Sequence, residues 1–192
     1  MIRRLYDWTI SLASSRYAFW ALAIVAFVES SVFPIPPDVL MIPMILAQPR
    51  RAFEIAALAT VSSVLGGLAG YWIGVGLFET VGEPVLAFYG KDAYFDEFAA
   101  SYNEWGAWAV LIAGVTPFPY KVITIMSGAT GLNLTVFLIA SVIARGLRFF
   151  IVATLLWKYG APIRDFIERR LGLMFTLFCL LLVGGFYVLR FL

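Results

Sequence analysis

Apolar stretches separated by short polar segments extend along almost the whole chain. They cover residues 18–47, 54–78, 108–130, 132–157 and 172–189. A helix needs about 20 predominantly apolar residues to cross the hydrocarbon core of a bilayer. The stretches 54–78, 132–157 and 172–189 therefore predict three full transmembrane helices.

Paired prolines interrupt the other two stretches near their middle. The first contains the run VESSVFPIPPDV and the second contains GVTPFPYK, and the prolines are Pro34, Pro36, Pro37, Pro117 and Pro119. An unpaired backbone amide or carbonyl is costly in hydrocarbon, so a break there requires surrounding protein or a water-filled cavity. Each stretch, 18–47 and 108–130, is therefore predicted to form a re-entrant helical hairpin. A single kinked helix is the alternative for 18–47.

Two polar segments complete this pattern. Residues 1–17 mix arginines with large apolar side chains, which predicts an interfacial amphipathic segment. Residues 79–105 carry six acidic residues, and their aromatic residues recur at helical spacing. They predict a polar loop with an amphipathic helix lying on the membrane. The whole chain, 1–192, is predicted to form one all-helical membrane domain.

Small residues occupy one face of the predicted helix 54–78. Ser62, Gly66, Gly70 and Gly74 recur every four residues, a spacing that lets another helix approach closely. Helix packing is the favoured interpretation, and a face turned toward a substrate is the alternative. The packing partner could belong to the same chain or to a second copy, so a homo-oligomer stays open.

Composition supports a lipid environment for these helices. The chain is 62% hydrophobic and 14% charged, and its mean hydropathy is +0.90. A soluble fold of this size cannot bury so much apolar surface, so an integral membrane protein is expected. Histidine is absent and Cys179 is the single cysteine. This excludes a disulfide framework within the chain, a His/Cys metal site and a histidine acid–base pair, and no cofactor is expected.

The distribution of basic residues predicts an orientation. If each hairpin returns to its own side, nine basic residues share one face: Arg3, Arg4, Arg16, Arg50, Arg51, Lys158, Arg164, Arg169 and Arg170. Lys91 and Arg190 lie on the other face. The positive-inside rule makes the first face cytoplasmic. The two hairpins then enter from opposite sides, as in an inverted repeat, with the N-terminus inside and the C-terminus outside.

Five charged residues are predicted to lie at membrane depth: Glu29, Asp38, Lys121, Arg145 and Arg148. A charge at the centre of a membrane helix costs about 2.5 to 3.5 kcal/mol on insertion scales, so each should pair or line a wet cavity. Structural ion pairing is one interpretation. Ion pairing cannot neutralise all five residues, because there are three cations and only two anions. A surplus cation favours an anionic guest, and arginine suits bidentate contacts to phosphate.

The two carboxylates have a second predicted role. Burial disfavours the charged form of a carboxyl group, whereas a nearby arginine favours it, so the competition can set a proton-responsive switch. Because histidine is absent, Glu29 and Asp38 are the evident candidates to carry protons within the membrane.

Several of these motifs resemble the DedA family of membrane proteins, also called the VTT or SNARE-associated Golgi group. They are FVESSVFPIPPDVL, LGGLAGYWIG and the run SGATGLN after the second break. The resemblance covers about residues 18 to 160, and TPFPYK and ARGLRFF are most similar to the YqaA-like branch. It implies that Glu29 and Asp38 correspond to acidic positions important in the family. Gly66, Gly70 and Tyr71 match its glycine-rich helix.

One departure from the family pattern concerns the second break. Many members carry two arginines there, and alignment on SGATGLN puts Gly114 and Tyr120 at those positions. Our interpretation is that Lys121 replaces one of them, and that Arg145 or Arg148 supplies the rest from the next helix.

The resemblance implies two facing hairpins and a function in lipid handling. Bacterial relatives are associated with returning undecaprenyl phosphate or moving phospholipids across the inner membrane, dependent on the proton motive force. We therefore expect a flippase or scramblase for phosphate-bearing lipids in a bacterial inner membrane, coupled to protons.

A small-ion or solute transporter and a membrane-organising scaffold are the alternatives. An enzyme is not expected, and nothing indicates nucleic-acid binding, because the arginines are buried or spread along one membrane face.

Overall fold

The computed structural model describes residues 17–32, 36–90, 92–116 and 119–188. Pro34, Pro117, Lys91 and nearly all of the predicted interfacial segment 1–17 lie outside these residues, as does the last residue of 172–189. Every regular element in the described part is helical. The α-helices are α1 (Ala18–Ser31), α2 (Asp38–Ala47), α3 (Ala52–Leu77), α4 (Glu83–Tyr89), α5 (Asp92–Val115), α6 (Tyr120–Ala129) and α7 (Leu134–Val188). A 3₁₀ turn (Pro49–Arg51) precedes α3, and a π-helical turn (Phe78–Gly82) joins α3 to α4.

The first break separates α1 from α2. Val32 leaves the helical conformation with φ −136° and ψ −37°. Pro37 precedes the first residue of α2, and its carbonyl accepts the amides of Leu40 and Met41 at 3.0 and 2.9 Å. A proline suits this position because its fixed φ is helical and its missing N–H is not needed there. Val32 therefore follows the end of the first helix, and Pro37 starts the second.

The second break separates α5 from α6. Helix α5 ends at Val115, and Pro119 has an extended backbone with ψ 99° immediately before Tyr120 begins α6. Helix α5 starts at Asp92, so one helix contains both the second part of the predicted polar loop 79–105 and the first arm of the predicted hairpin 108–130. A lone glycine, Gly106, is tolerated in a helix at a cost of about 1 kcal/mol, so no residue between them stops the helix.

The turn from α6 to α7 explains the SGATGLN run. Gly131 takes a left-handed conformation with φ 66°, and the Leu132 amide donates to the Ser127 carbonyl at 2.9 Å. This is a Schellman ending, for which glycine has no steric penalty. The Asn133 side-chain oxygen then accepts the amides of Thr135 and Val136 and caps α7.

In the described part of the chain, two helical stretches are long and apolar enough to cross a membrane. They are Pro49–Tyr89, of 41 residues, and Leu134–Gly160, of 27 residues. The predicted span 54–78 lies within the first, and all but the first two residues of 132–157 lie within the second. Helix α7 continues to Val188, so residues 134–157 and 172–188 of the predicted spans belong to one helix of 55 residues. Large apolar side chains such as Trp20, Trp72 and Trp108 are exposed, as expected for a surface that lipid covers.

Helix α3 lies at the centre and packs against α1, α6 and α7. A methyl group added at Gly66 would overlap the backbone carbonyl of Phe27 in α1. One added at Gly74 would overlap the carbonyl of Ile125 in α6, and Gly70 meets both helices between them. The glycine face therefore brings the helices beside the two breaks against the same side of α3.

Two separate apolar cores pack against the first half of α7. The first joins α1, α2, α3 and residues 149–156 of α7, and includes Leu22, Met41, Ile45, Ile55 and Phe149. The second joins α3, α5, α6 and the beginning of α7, and includes Tyr71, Val110, Tyr120, Leu132 and Phe137. Along α7, Arg145 and Arg148 follow the residues of the second core and precede those of the first.

Candidate functional site

Two ion pairs connect the first third of α7 to the residues on either side of the first break. Arg145 Nη2 donates to Glu29 Oε2 at 2.9 Å. Arg148 Nη2 donates to Asp38 Oδ2 at 2.7 Å. Glu29 lies in the last turn of α1 and Asp38 is the first residue of α2. Because the arginines are three residues apart, one face of α7 binds both ends of the break.

A closed ring of hydrogen bonds surrounds the Glu29–Arg145 pair. Arg145 Nε donates to Ser63 Oγ at 2.6 Å, and Ser63 Oγ lies 2.6 Å from Ser30 Oγ. Ser30 Oγ lies 3.1 Å from Glu29 Oε2. Because a guanidinium nitrogen can only donate, Ser63 accepts from Arg145, while either serine can donate in the bond between Ser63 and Ser30. The Ser30 hydroxyl also lies 3.0 Å from the carbonyl oxygen of Ala26. Glu29 Oε2 thus accepts a hydrogen bond from Arg145 and lies within hydrogen-bond distance of Ser30.

Two aromatic rings cover the Arg145 guanidinium. Its Cζ atom lies 4.9 Å from the centre of the Tyr120 ring and 4.7 Å from that of the Phe149 ring. The Tyr120 hydroxyl donates to Ser141 Oγ at 2.6 Å, which fixes the ring. Arg145 is only 1% exposed. Cation–π contacts of this kind offset part of the cost of removing the cation from water.

Arg148 lies in a more open position. Its side chain is 22% exposed and that of Asp38 is 21% exposed. Arg148 Nη1 also donates to the carbonyl oxygen of Thr116 at 3.0 Å. Thr116 directly follows α5, at the start of the second break. Arg148 therefore contacts both breaks at once.

Lys121 lies on the other side of the second break, in the first turn of α6. Its Nζ atom is 3.5 Å from the carbonyl oxygen of Val32, where the first break begins. A second polar contact joins the same two helices, since Thr124 Oγ1 donates to the Ser30 carbonyl at 3.1 Å. Lys121 is thus a third cation at a place where the two breaks approach each other.

The structure brings the five predicted charged residues into contacts that involve the two breaks. Of the predicted break prolines, Pro36, Pro37 and Pro119 directly precede α2 and α6. The polar and aromatic partners of the arginines were not identified from the sequence; they are Ser63, Thr116, Tyr120 and Phe149. Ser30 and Ser141, which bond to Ser63 and Tyr120, were not identified either. The spacing of Arg145 and Phe149, four residues apart on one helix, was the available signal for a cation–π contact.

The charge balance of this site is positive. Two carboxylates face two arginines and Lys121, so the sum is one positive charge. Away from bulk water such an excess attracts an anion, and guanidinium groups bind phosphate oxygens bidentately. The arrangement can therefore stabilise a phosphate group or similar anion between the two breaks.

Comparisons with known proteins place the chain in a family. The VTT domain, which is the domain of the DedA family, matches residues 35–158. An uncharacterized protein of Haemophilus influenzae is 36% identical over 168 residues, covering 85% of this chain and 87% of the relative. An uncharacterized protein of Histophilus somni has the same identity and coverage. No solved structure matches. The chain is therefore a membrane protein that belongs to the DedA family.

Proposed function

We propose that this protein is a membrane lipid transporter, a flippase or scramblase, for lipids with phosphate-bearing headgroups such as undecaprenyl phosphate or phospholipids. The observation that supports this most is the net positive group of five charged side chains at the two breaks. The headgroup carries most of the barrier to crossing a bilayer, because it must leave water. A polar site between the breaks would admit the headgroup while the lipid chain stays in the bilayer.

The proposal includes two re-entrant hairpins that enter the membrane from opposite sides as an inverted repeat. The first comprises α1, the first break and α2, and the second comprises the end of α5, the second break and α6. Broken helices at midplane binding sites are characteristic of transporters built this way. The basic residues favour an orientation with Arg50, Arg51 and Lys158 in the cytoplasm of a bacterial cell, at its inner membrane.

Protons are the proposed coupling ions. Glu29 and Asp38 each accept a hydrogen bond from an arginine, and a proton on either carboxyl group would weaken its pair. Opening one pair would free a guanidinium and loosen the contact between α7 and the first break. A proton gradient could in this way bias the direction of lipid movement.

Reconstitution into liposomes tests the proposed function. Purified protein would be incorporated with labelled undecaprenyl phosphate or labelled phospholipid, with and without an imposed proton gradient, and flipping would be measured by accessibility of the label. Wild type should accelerate flipping. Glu29→Gln and Asp38→Asn should lower the rate about tenfold or more, because each removes a charge-assisted contact worth at least about 1.4 kcal/mol.

Glu54→Gln is the matched control for these variants. Glu54 pairs with Arg51 at 2.8 Å, but the two side chains are 63% and 47% exposed, so its flipping rate should equal that of wild type. Ion flux without lipid flipping would instead indicate a small-ion transporter. Absence of both activities in wild type would contradict transport and favour a scaffold, whose buried charges serve folding alone.

A further inference from the structure

The two buried ion pairs differ in how easily an anion could replace the carboxylate. Arg145 is 1% exposed, and its partner Glu29 is 16% exposed. Arg148 and Asp38 are 22% and 21% exposed. Because the two arginines lie only one helical turn apart on α7, the difference in exposure arises mainly from the side chains that surround each pair.

The surroundings of Arg145 leave no space for a ligand. Its Nε and Nη2 atoms are engaged by Ser63 and Glu29. Aromatic rings of Tyr120 and Phe149 cover the guanidinium. An incoming phosphate would have to displace packed side chains from both apolar cores. Arg145 therefore acts through the position of α1 and α6, as a positioning residue.

The contacts of Arg148 place it at the junction of the breaks. Asp38 follows the first break and Thr116 begins the second, and Arg148 binds both. Lys121 follows the second break and contacts Val32, which begins the first. The two cations therefore contact residues at both breaks from different helices, and the carboxylate of Asp38 is the anion bound to Arg148.

We propose that Arg148 and Lys121 form the phosphate-binding subsite and that Asp38 occupies Arg148 until a lipid phosphate replaces it. That the phosphate belongs to a lipid rests on the proposed function. A carboxylate and a phosphate present similar pairs of oxygen atoms to a guanidinium. Replacement of one by the other preserves the hydrogen bonds of Arg148, and Lys121 supplies the second positive charge. Asp38 thus competes with the substrate, whereas Glu29 does not.

Binding of a soluble prenyl phosphate provides the test. Affinity for farnesyl phosphate would be measured by titration calorimetry on protein purified in a neutral detergent. Asp38→Asn removes the competitor and should tighten binding about tenfold. Glu54→Gln makes the same change in net charge at the exposed pair with Arg51 and should leave the affinity unchanged. Equal tightening in both variants, or none in Asp38→Asn, would overturn the proposal.

Variants of the cations identify the residues responsible. Arg148→Gln in the Asp38→Asn background should remove the gain, and Arg148→Lys should keep part of it, since lysine retains the charge but not the planar fork. Lys121→Gln should weaken binding of wild type about tenfold. The central result is a gain of affinity in Asp38→Asn, which misfolding cannot produce. Retention of the gain in the Arg148→Gln double variant would contradict the assignment.

Two further ligands separate this proposal from the proposed function. Farnesol lacks the phosphate and should not compete with farnesyl phosphate, and competition by farnesol would contradict a phosphate subsite. Inorganic phosphate should bind more weakly than farnesyl phosphate. Equal affinity with the same dependence on Asp38 and Arg148 would support the subsite while contradicting a lipid substrate. Liposome flipping by wild type, without the Asp38→Asn effect on binding, would support the function and contradict the subsite.

Discussion

Arg145 is a buried cation whose stability depends on a complete set of partners. Removal of one member of a buried ion pair costs about 3 to 5 kcal/mol, because the other charge is left without compensation. Here Glu29 supplies the opposite charge, Ser63 accepts the Nε proton, and Tyr120 and Phe149 cover the faces of the guanidinium. The residue therefore contributes to the fold through its neighbours as well as its charge.

Glu29→Met should lower the free energy of unfolding by about 3 kcal/mol, since it leaves Arg145 buried and unpaired. The double variant Glu29→Met with Arg145→Met should recover part of this loss, because both charges are then absent. Equilibrium unfolding in mixed detergent micelles measures both effects. Glu54→Met removes one partner of an exposed pair and should cost less than about 1 kcal/mol. Similar losses in Glu29→Met and Glu54→Met would contradict the buried pair.

Hydropathy alone could locate the five charged residues, because charges in apolar stretches are conspicuous. Which carboxylate binds which arginine could not be predicted, since pairing depends on the rotation of α7 about its axis relative to α1. The role of Ser63 could not be predicted either. In the sequence it is one of several small residues in α3. It accepts the Arg145 Nε proton because the fold brings together two residues that are 82 positions apart in the chain.

At the scale of the helices, the glycine face of α3 sets the distance to its neighbours. Gly66 and Gly74 have no space for a side chain because backbone atoms of Phe27 and Ile125 lie against them. Backbone atoms cannot move aside as a flexible side chain can. The spacing of small residues predicts close packing in general, but the helices that fill it are evident only from the tertiary structure.

Gly66→Ala should destabilise the protein by about 1 to 3 kcal/mol, because the added methyl group forces α1 away from α3. Gly76 in the same helix has no neighbouring atom within 4 Å of an added Cβ. Gly76→Ala should therefore stabilise α3 by up to about 1 kcal/mol through helix propensity. Thermal unfolding in detergent measures both variants. Equal shifts of the same sign would contradict the close approach of α1 at Gly66.

The ends of the helices were less predictable than their apolar stretches. Hydropathy indicates which residues suit lipid, but a helix can continue through polar residues when nothing in them stops it. Helix α7 continues through the basic segment 158–170, and α5 starts within the acidic segment 79–105. Among the described residues, the prolines before α2 and α6 and the left-handed glycines Gly90 and Gly131 have local chemistry strong enough to fix a boundary from the sequence.

At the scale of the molecule, the proposed topology makes residues before and after the first hairpin share one side of the membrane. Single cysteines would be introduced into a Cys179→Ser background, and an impermeant maleimide would be added to intact spheroplasts. Glu97→Cys and Thr135→Cys should react. Ser15→Cys, Gln48→Cys and Lys158→Cys should react only after permeabilisation.

The decisive comparison is between the sides of the membrane from which cysteines at positions 15 and 48 are labelled. Labelling of Ser15→Cys and Gln48→Cys from opposite sides would show that 18–47 crosses the membrane as one kinked span. Protection of Glu97→Cys with labelling of Lys158→Cys would instead reverse the orientation. Either result would contradict the proposed arrangement, although the contacts within the site would be unaffected.

Both buried ion pairs join α1 or α2 to α7, and so connect the first half of the chain to the second. Divided near position 90, the chain would yield one piece with two anions at membrane depth and another with three cations. Neither piece could remain in lipid without uncompensated charge, and each would hold the counter-charges of the other. Each half therefore requires the other to neutralise its charges. A half without its partner would expose unpaired charged groups, and cellular quality control would degrade it.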